Sequence, residues 1–380
     1  MFYAFRDSPL RRAALAARRG APERYCLHGL DQLAARGIEV RHNLEQRPPG
    51  WTRAADAMVN RLVYGVGGYG GDFASVLASL RVLNGAGVIL STVDTVGLPL
   101  TLLKRAGLVR PSLVYIAIGL PERLARIERP RVRRLYASAL GKASAIVAFS
   151  RREVEVLDCW LREHGVSRPA VEFVPFGVDT AYFEPQPDVA PDVDVISIGA
   201  DPHRDFGLLL RVAEQLSDRS FRLVVSAEHA RALGRTPPNV SVEVDVPFAL
   251  LRDRLVSGRL VVLPVKENSY SGATTVLLQA LATGRPVVVS RTEAIAEGYG
   301  LADGVNCRLV PPGEVGALEE AVRSLLDDGD AAARLGAEAR ATAERSLSWE
   351  RYADALYGVV LRAAGPDPRR PGPASHESAT

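Results

Sequence analysis

The chain has 380 residues, of which 47% are hydrophobic and 24% charged, with a formal net charge of +3, a globular composition sufficient for two or three domains. No apolar run reaches the ~18 residues of a membrane span, and the 3 cysteines form no CxxC pair. This pattern argues against a disulfide framework or a cysteine zinc site and fits a reducing cytosol, so we expect a cytoplasmic protein.

Residues 1–20 are too rich in arginine and too interrupted for a secretory signal, and the regular pattern that follows argues against a transit peptide. From there, apolar runs alternate with segments of helical periodicity. We predict, in chain order, a helix at 27–37, strands at 37–42 and 87–92, a helix at 99–107, strands at 112–119 and 144–150, a helix at 151–165 and a strand at 171–177. Ser150 is the predicted N-cap of the helix that follows it.

The alternation is interrupted at residues 176–193, where prolines and aspartates indicate a linker between domains. Beyond it we predict strands at 194–200, 221–227, 241–246, 259–265, 285–292 and 306–313 with helices between them, and three late helices of which the last is 349–365. Residues 366–380 are rich in proline, serine and charge and are predicted to be disordered. The pattern predicts an α/β protein with two Rossmann-like domains, 1–175 and 194–348, that face a central cleft.

The charge is distributed unevenly between these halves. Through Glu172 the chain has 26 basic and 15 acidic residues, whereas the remainder has 21 basic and 29 acidic ones. A basic first half indicates an anionic partner, either a phosphate-bearing or lipid-linked acceptor or the anionic inner face of a membrane, and its densest stretch is 121–134. The alternative is a solvated helix face with internal Glu–Arg pairs. Nucleic acid is not expected, since no aromatic residues interleave with these arginines.

The segment 263–313 contains the pattern most informative about function. A buried strand leads into a polar loop that ends in five small residues at the mouth of a helix, namely Ser271, Gly272, Ala273, Thr274 and Thr275. The unpaired amides and the positive dipole end of such a helix attract phosphate, and glycine permits a close approach. The alternative is an ordinary capped helix start.

The wider block resembles a known family. The stretches QALATGRPVVVS (residues 279–290) and GVNCRLVPPG (304–313) are similar to the nucleotide-sugar site of retaining glycosyltransferases of the GT-B fold, of the family-four or group 1 type. Residues 150–185, with Phe-Gly-Val-Asp-Thr at 176–180, resemble the inter-domain passage of that family. WERYADAL, which begins at Trp349, resembles its last helix, so 349–365 is expected to cross back to the first domain.

The resemblance implies a nucleotide-sugar donor, metal-independent transfer with retention at the anomeric carbon, and no cofactor. The family carries two glutamates in this block, and the present chain departs from both, with Ser271 and Gln279 at those positions. Gln279 is still able to bond the ribose hydroxyls without a charge. Ser271 is too short to replace the glutamate that contacts the sugar, so sugar recognition must be built differently.

The resemblance also implies basic residues that hold the donor diphosphate near the start of the second domain. Ala200 and Asp205 occupy the usual arginine and lysine positions. His203 and Arg204 are the substitutes nearby, and Arg204 is the candidate that neutralises the leaving diphosphate. A surface arginine in a loop is the alternative. The expected donor site further includes Gly199 and, after a later strand, Arg291.

Candidates on the acceptor side are fewer. The family places a histidine at a strand end of the first domain, where this chain has Ile118 and Gly119. His28 and His42 are interpreted as structural or exposed. Asp94 follows the 87–92 strand and is a candidate contact to the acceptor or the sugar.

Other functions stay open at this point. The missing histidine and the replaced glutamates fit a non-catalytic, glycosyltransferase-like subunit that binds or activates a partner. An epimerase or phosphorylase with the same architecture would need acid and base residues, and none are evident. A nicotinamide dehydrogenase is disfavoured because no GxGxxG opens a helix. The sequence does not identify the sugar, the nucleotide base or the acceptor.

Overall fold

The computed structural model describes residues 1–269 and 272–365. Two six-stranded sheets, each parallel throughout and covered by helices, form the two halves of the molecule. The predicted α/β class with two Rossmann-like domains is confirmed. The predicted disordered tail, 366–380, lies outside the described residues.

The first domain has the strand order β2-β1-β3-β4-β5-β6. Its strands are β1 (Phe2–Ala4), β2 (Arg41–His42), β3 (Val88–Ser91), β4 (Ser112–Ile116), β5 (Ala145–Ala148) and β6 (Ala170–Phe173). Its helices are α1 (Pro9–Ala16), the 3₁₀ helix Pro22–Leu27, α2 (Leu30–Ala35), α3 (Gly50–Gly65), α4 (Phe73–Leu83), α5 (Asp94–Arg105), α6 (Leu120–Ala125), α7 (Pro130–Leu140) and α8 (Arg151–Glu163).

The second domain has the strand order β12-β11-β10-β7-β8-β9. Its strands are β7 (Val193–Gly199), β8 (Phe221–Val225), β9 (Val240–Val244), β10 (Gly258–Leu263), β11 (Val287–Ser290) and β12 (Arg308–Val310). The helices of this half are α9 (Phe206–Gln215), α10 (Ala227–Leu233), the 3₁₀ helix Phe248–Leu250, α11 (Leu251–Ser257), α12 (Thr274–Ala282), α13 (Glu293–Ala296), α14 (Val315–Asp327), α15 (Gly329–Ser346) and α16 (Trp349–Ala364).

Apolar side chains on both faces of the central strands build the cores. All residues of β3, β5 and β11 are buried, which is why these strands read as continuous apolar runs rather than as an alternating pattern. The parallel register places Val261 of β10 between Ile196 of β7 and Val287 of β11. Consecutive parallel strands need a crossover, and a helix on a sheet face provides it.

The predicted N-cap at Ser150 is confirmed. Its Oγ accepts hydrogen bonds from the amides of Arg152 (3.1 Å) and Glu153 (3.4 Å). The helix ends near Gly165, whose φ of +74° is the left-handed conformation that a glycine adopts without strain.

The structure differs from the sequence prediction in the first 65 residues. Residues 2–4 form β1, a buried strand between the edge strand β2 and β3, although no element was predicted there. The predicted helix 27–37 is replaced by a 3₁₀ helix and the short α2, because His28 and Gly29 both adopt positive φ. The predicted strand 37–42 shrinks to β2, and α3 was not predicted.

The passage between the domains is ordered and packs against the last helix. The Val178 amide donates to the carbonyl of Leu347, and the Trp349 amide donates to the carbonyl of Val178. Phe176 packs its ring against Trp349 and Tyr352 of α16. The helix α16 contacts α2, β3 and β4, so the end of the described chain lies against the first domain. Within the described residues, no helix combines the length and apolar composition needed to cross a bilayer.

Candidate active site

Two cavities lie where the carboxyl ends of the two sheets face each other. The first, which we call the α12 cavity, has a volume of ≈ 210 Å³ and is bounded by the start of α12 on one side and by α1 and His28 on the other. The second, which we call the arginine cavity, has a volume of ≈ 390 Å³ and is lined by four arginines. Arg11 and Ile118 belong to both. Ligands of open parallel sheets bind at this edge.

The N-terminus of α12 forms the second-domain wall of the α12 cavity. Gly272, Thr274 and Thr275 line it, and no side chain caps the helix at Ala273. The amides of the first turn therefore have no partner inside the helix. The buried Thr274 hydroxyl lies beside the hydroxyl of Tyr299, which itself donates to the carbonyl of Phe149 (2.6 Å). The free amides of the first turn suit an anion. Ser271 lies outside the described residues.

Arg11 of α1 stands on the opposite wall. Its Nη1 donates to the carbonyl of Arg6 (3.2 Å), and its Nε is buried without a partner. Burial lowers the pKa of Arg11, with a smaller contribution from the charge of Arg6, but an arginine retains its charge. A guanidinium therefore faces the start of α12 across the cavity.

His28 completes the aromatic side of the same cavity. Its ring is stacked with Phe149 at 6.3 Å and meets Phe176 edge-on at 5.9 Å. Burial lowers the pKa of His28 to about 3, so the imidazole is neutral at physiological pH. His28 is therefore buried, and it also lines the α12 cavity, which the sequence interpretation as structural or exposed did not include.

Asp94 anchors the arginine cavity. Its buried carboxylate accepts hydrogen bonds from Tyr115 Oη (2.7 Å) and the Ile118 amide (3.2 Å), and pairs with Arg123 Nε (2.8 Å). Burial raises the pKa of Asp94 to about 7 even though hydrogen bonds favour its ionised form. The ion pair with Arg123 favours the ionised form of this carboxyl group, whereas its burial favours the protonated form.

His203 reaches the arginine cavity from the second domain. Its Nε2 lies 3.4 Å from Oε1 of Glu122, so this pair joins the two domains across the cleft.

Arg204 lies behind the cleft rather than in either cavity. It is 3% exposed, its guanidinium lies over the Phe206 ring, and Nη2 donates to Ser197 Oγ (3.1 Å). Its Nε and Nη1 are buried without partners, and burial lowers its pKa to about 10. Gly199 makes room for it, because a Cβ there would lie 2.6 Å from Arg204 Nε. Gly199 therefore accommodates Arg204 and lines neither the α12 cavity nor the arginine cavity.

Gln279 is buried one turn into α12, and with Thr275 it borders a space of only ≈ 40 Å³. Tyr25 and Trp349 lie on the other side of that space. It has room for water, not for a ribose.

Arg291 is brought to neither cavity. It is exposed and borders a separate hollow of ≈ 270 Å³, next to the pair formed by Arg152 and Glu293 (2.7 Å). Glu267, four residues before Ser271, accepts from the amide of Glu293 (2.9 Å) and likewise lies outside both cavities.

Most of the first-domain wall was not predicted from the sequence. Arg6 and Arg11 were not singled out, although Arg6 follows the apolar run that forms β1. Recognition of that run as a strand would have placed Arg6 at a carboxyl edge, where ligands bind. Within the described ranges, no group of three or more His, Cys, Asp or Glu side chains is placed to hold a metal ion.

Comparisons with known proteins agree with this architecture. Residues 193–328 match the model of the family described as glycosyl transferases group 1. The chain is 28% identical over 213 residues to MMP α-(1→4)-mannosyltransferase of Mycolicibacterium hassiacum. This match covers 53% of the present chain and 51% of that protein. The match thus spans about half the length of this relative.

Solved structures share the fold along nearly the whole chain. Sucrose-phosphate synthase of Thermosynechococcus elongatus has a TM-score of 0.69 at 16% identity, covering 95% of this chain and 98% of that one. HepE of Anabaena, in complex with UDP and glucose, has a TM-score of 0.65 at 13% identity, covering 95% and 99%. These likenesses confirm the GT-B fold, and the family match supports the group 1 assignment.

Proposed function

We propose that this protein is a glycosyltransferase that moves a sugar from a nucleotide-sugar donor to an acceptor across the cleft. The observation that carries the proposal is the α12 cavity, in which the uncapped start of α12 faces Arg11. The match of residues 193–328 to the group 1 family and the UDP bound by the structural relative HepE support it.

The diphosphate of the donor would bind at the start of α12. Backbone amides, Thr274 and Arg11 would stabilise the negative charge that develops on the leaving group, and such fixed donors contribute most in a site that excludes water. This assignment gives the charge stabilisation to protein groups and requires no metal ion. Arg204 joins them only if its guanidinium moves out from behind Gly199.

The acceptor would bind in the arginine cavity, with Asp94 and His203 in reach of it. Asp94, with a pKa of about 7, is the candidate contact to the reacting hydroxyl. Transfer with retention at the anomeric carbon is part of the proposal, because donor and acceptor would reach the shared wall at Arg11 and Ile118 from neighbouring cavities. The phosphate oxygen that is released would then be on the acceptor's side of the sugar.

Calorimetric titration with UDP, UDP-glucose and GDP-mannose tests the donor site. We expect one nucleotide to bind to the wild type and the Gly272→Trp variant to lose at least about tenfold in affinity, because the indole fills the cavity. Gly316→Trp is the matched control, since Gly316 of α14 is surrounded by open space. Equal binding by the wild type and Gly272→Trp would refute the proposed donor site.

A non-catalytic role is the second candidate, and the narrow space at Gln279 favours it. In such a subunit the cleft would stay closed, and no nucleotide sugar would bind. Absence of binding with every nucleotide, in a protein that folds cooperatively, would favour this role.

The first domain also presents a surface suited to the anionic face of a membrane. Trp51, Met58 and Leu62 are exposed and fall on one stripe of α3, since they are spaced by seven and four residues. Exposed arginines at positions 53 and 61 accompany them. An aromatic and aliphatic stripe with cations is typical of helices that lie in a bilayer interface. This surface, rather than the 121–134 stretch alone, is the proposed peripheral contact.

A further inference from the structure

We infer that the acceptor carries an anionic group, a phosphate or a carboxylate, that is held in the arginine cavity by Arg6, Arg11 and Arg126. The inference rests on the proposed function, since an acceptor presupposes a transfer reaction. It concerns residues that the donor site does not use, apart from Arg11, which borders both cavities.

The charges of the cavity are not balanced. Asp94 is paired with Arg123 (2.8 Å), and Glu122 faces His203 (3.4 Å). Both acidic side chains that line the cavity therefore already have a partner. The other three arginines of the wall, Arg6, Arg11 and Arg126, take part in no ion pair among the described residues.

The local fold brings two of these arginines together. β1 ends at Ala4 and α1 begins at Pro9, and across this turn Arg11 Nη1 donates to the carbonyl of Arg6. Asp7 would be the acid closest in sequence, but it pairs with Arg12 instead. The charge of Arg6 contributes to the lowered pKa of Arg11, as expected for two neighbouring cations. An anion between them would compensate both charges.

The size and walls of the cavity fit a small acceptor rather than a bare ion. A volume of ≈ 390 Å³ lies in the range of small-molecule sites. The ring of Tyr69 forms a flat wall beneath the guanidinium of Arg123, 4.6 Å from it. Guanidinium groups hold phosphate and carboxylate through pairs of hydrogen bonds, which orients the rest of the molecule. A hydroxyl group of the acceptor is then able to reach Arg11 and Ile118, which line both cavities.

Calorimetry on the full chain saturated with UDP tests the inference with glucose 6-phosphate, glucuronate and glucose as probes. We expect at least one anionic probe to bind at least tenfold tighter than glucose. The Arg6→Gln/Arg126→Gln variant should lose at least tenfold for that probe and change less than twofold for UDP. The matched control, Arg18→Gln/Arg129→Gln, removes the same charge from exposed arginines outside the cavity and should change less than twofold for both.

A phosphate group could come from a soluble sugar or from a lipid-linked one, so geranyl phosphate is titrated as a further arm. Tighter binding of geranyl phosphate than of glucose 6-phosphate, lost in the same variant, would assign a lipid-linked acceptor. The reverse order would assign a soluble one.

Three results would overturn the inference: equal affinities for glucose and the anionic probes, no binding of any anionic probe, or full binding by Arg6→Gln/Arg126→Gln. Failure of UDP to bind would count against the proposed function instead. The anionic probes are then titrated into the free protein, where the same comparison of variants decides the anion site.

Discussion

Two buried carboxyl groups hold the turn at the end of β4. The amide of Ile118 donates to Asp94, and the amide of Gly119 donates to Oε1 of Glu153 (2.9 Å). Burial raises the pKa of Glu153 from 4.5 to about 8, with a further contribution from the charge of Asp94. The folded protein therefore retains this proton at neutral pH, whereas the unfolded chain releases it near pH 4.5.

This difference predicts a pH-dependent stability. The contribution of Glu153 is complete below pH 4.5 and is lost as the pH rises towards 8, because ionisation of the buried group becomes increasingly favoured in the unfolded chain. Glu153→Gln keeps an oxygen for the Gly119 amide but cannot ionise. We expect the Tm of Glu153→Gln minus that of the wild type to increase by about 3 °C or more between pH 5 and pH 8.

Two comparisons make the result specific. Glu155→Gln is the control, since Glu155 lies on the same helix but is exposed and pairs with Arg152. His28 has the opposite dependence: its pKa falls from 6.5 to about 3, so the stability it contributes is lost as the pH decreases through that range. It contributes equally to both proteins and cancels in the difference. A Tm difference that stays constant with pH would contradict the buried, protonated Glu153.

At the scale of elements, the sequence predicted the strands whose apolar runs are long and bounded by glycine or polar residues. β3, β4, β5 and β7 are of this kind. β1 was missed because its three apolar residues, beside an arginine-rich segment, are too few to show the periodicity of a strand. These residues form a strand only through their pairing with β2 and β3. The helix α3 was missed because its exposed face is apolar, which obscures the usual division into an apolar and a polar face.

The exposed stripe of α3 is itself a testable feature. We expect the protein to co-sediment with vesicles of phosphatidylglycerol and phosphatidylcholine and to be released by 0.5 M salt, which screens the arginines. Trp51→Ser/Leu62→Ser should weaken the binding of vesicles about tenfold or more. Each apolar side chain that is fully removed from water contributes about 1.5–3 kcal/mol to the free energy of binding. The emission of Trp51 should also shift to shorter wavelength on binding.

A matched pair of substitutions separates this stripe from general surface hydrophobicity. Leu108 and Leu361 are also about half exposed but lie away from α3. Leu108→Ser/Leu361→Ser should bind vesicles as the wild type does. Equal loss in both variants, or wild-type binding that does not depend on anionic lipid, would count against α3 as the contact.

At the scale of the whole molecule, the sequence predicted the start of α12 and Asp94, but not the first-domain residues that line the α12 cavity. The start of α12 was recognisable because its small residues precede a strongly apolar helix. Arg11, Tyr25 and His28 face it only because β1 and α1 fold back to the cleft, and no local pattern records that approach. The narrow space at Gln279 likewise depends on how closely the domains meet.

The two domains meet through a ring pair over the expected nucleotide site. Tyr25 of the first 3₁₀ helix is stacked with Phe248 of the second, with centroids 4.8 Å apart and an angle of 18°. Arg24 fixes the first of these segments, since it donates to the carbonyls of Ala14, Leu15 and Ala17 and pairs with Asp31. Tyr25 of this pair also borders the narrow space at Gln279, so we expect a ribose that binds at Gln279 to require the rings to separate.

Removal of this ring pair should favour the open state and thereby strengthen nucleotide binding. Binding to a conformer that is only partly populated is weakened in proportion to its population, and an aromatic pair contributes about 0.5–1.5 kcal/mol. We therefore expect Phe248→Ala to tighten UDP binding by about two- to tenfold in calorimetry. Leu250→Ala, at an exposed position on the same 3₁₀ helix, should leave the affinity unchanged. Weaker binding by Phe248→Ala would instead make Phe248 a direct contact to the nucleotide, and the closed cleft would then be the binding state.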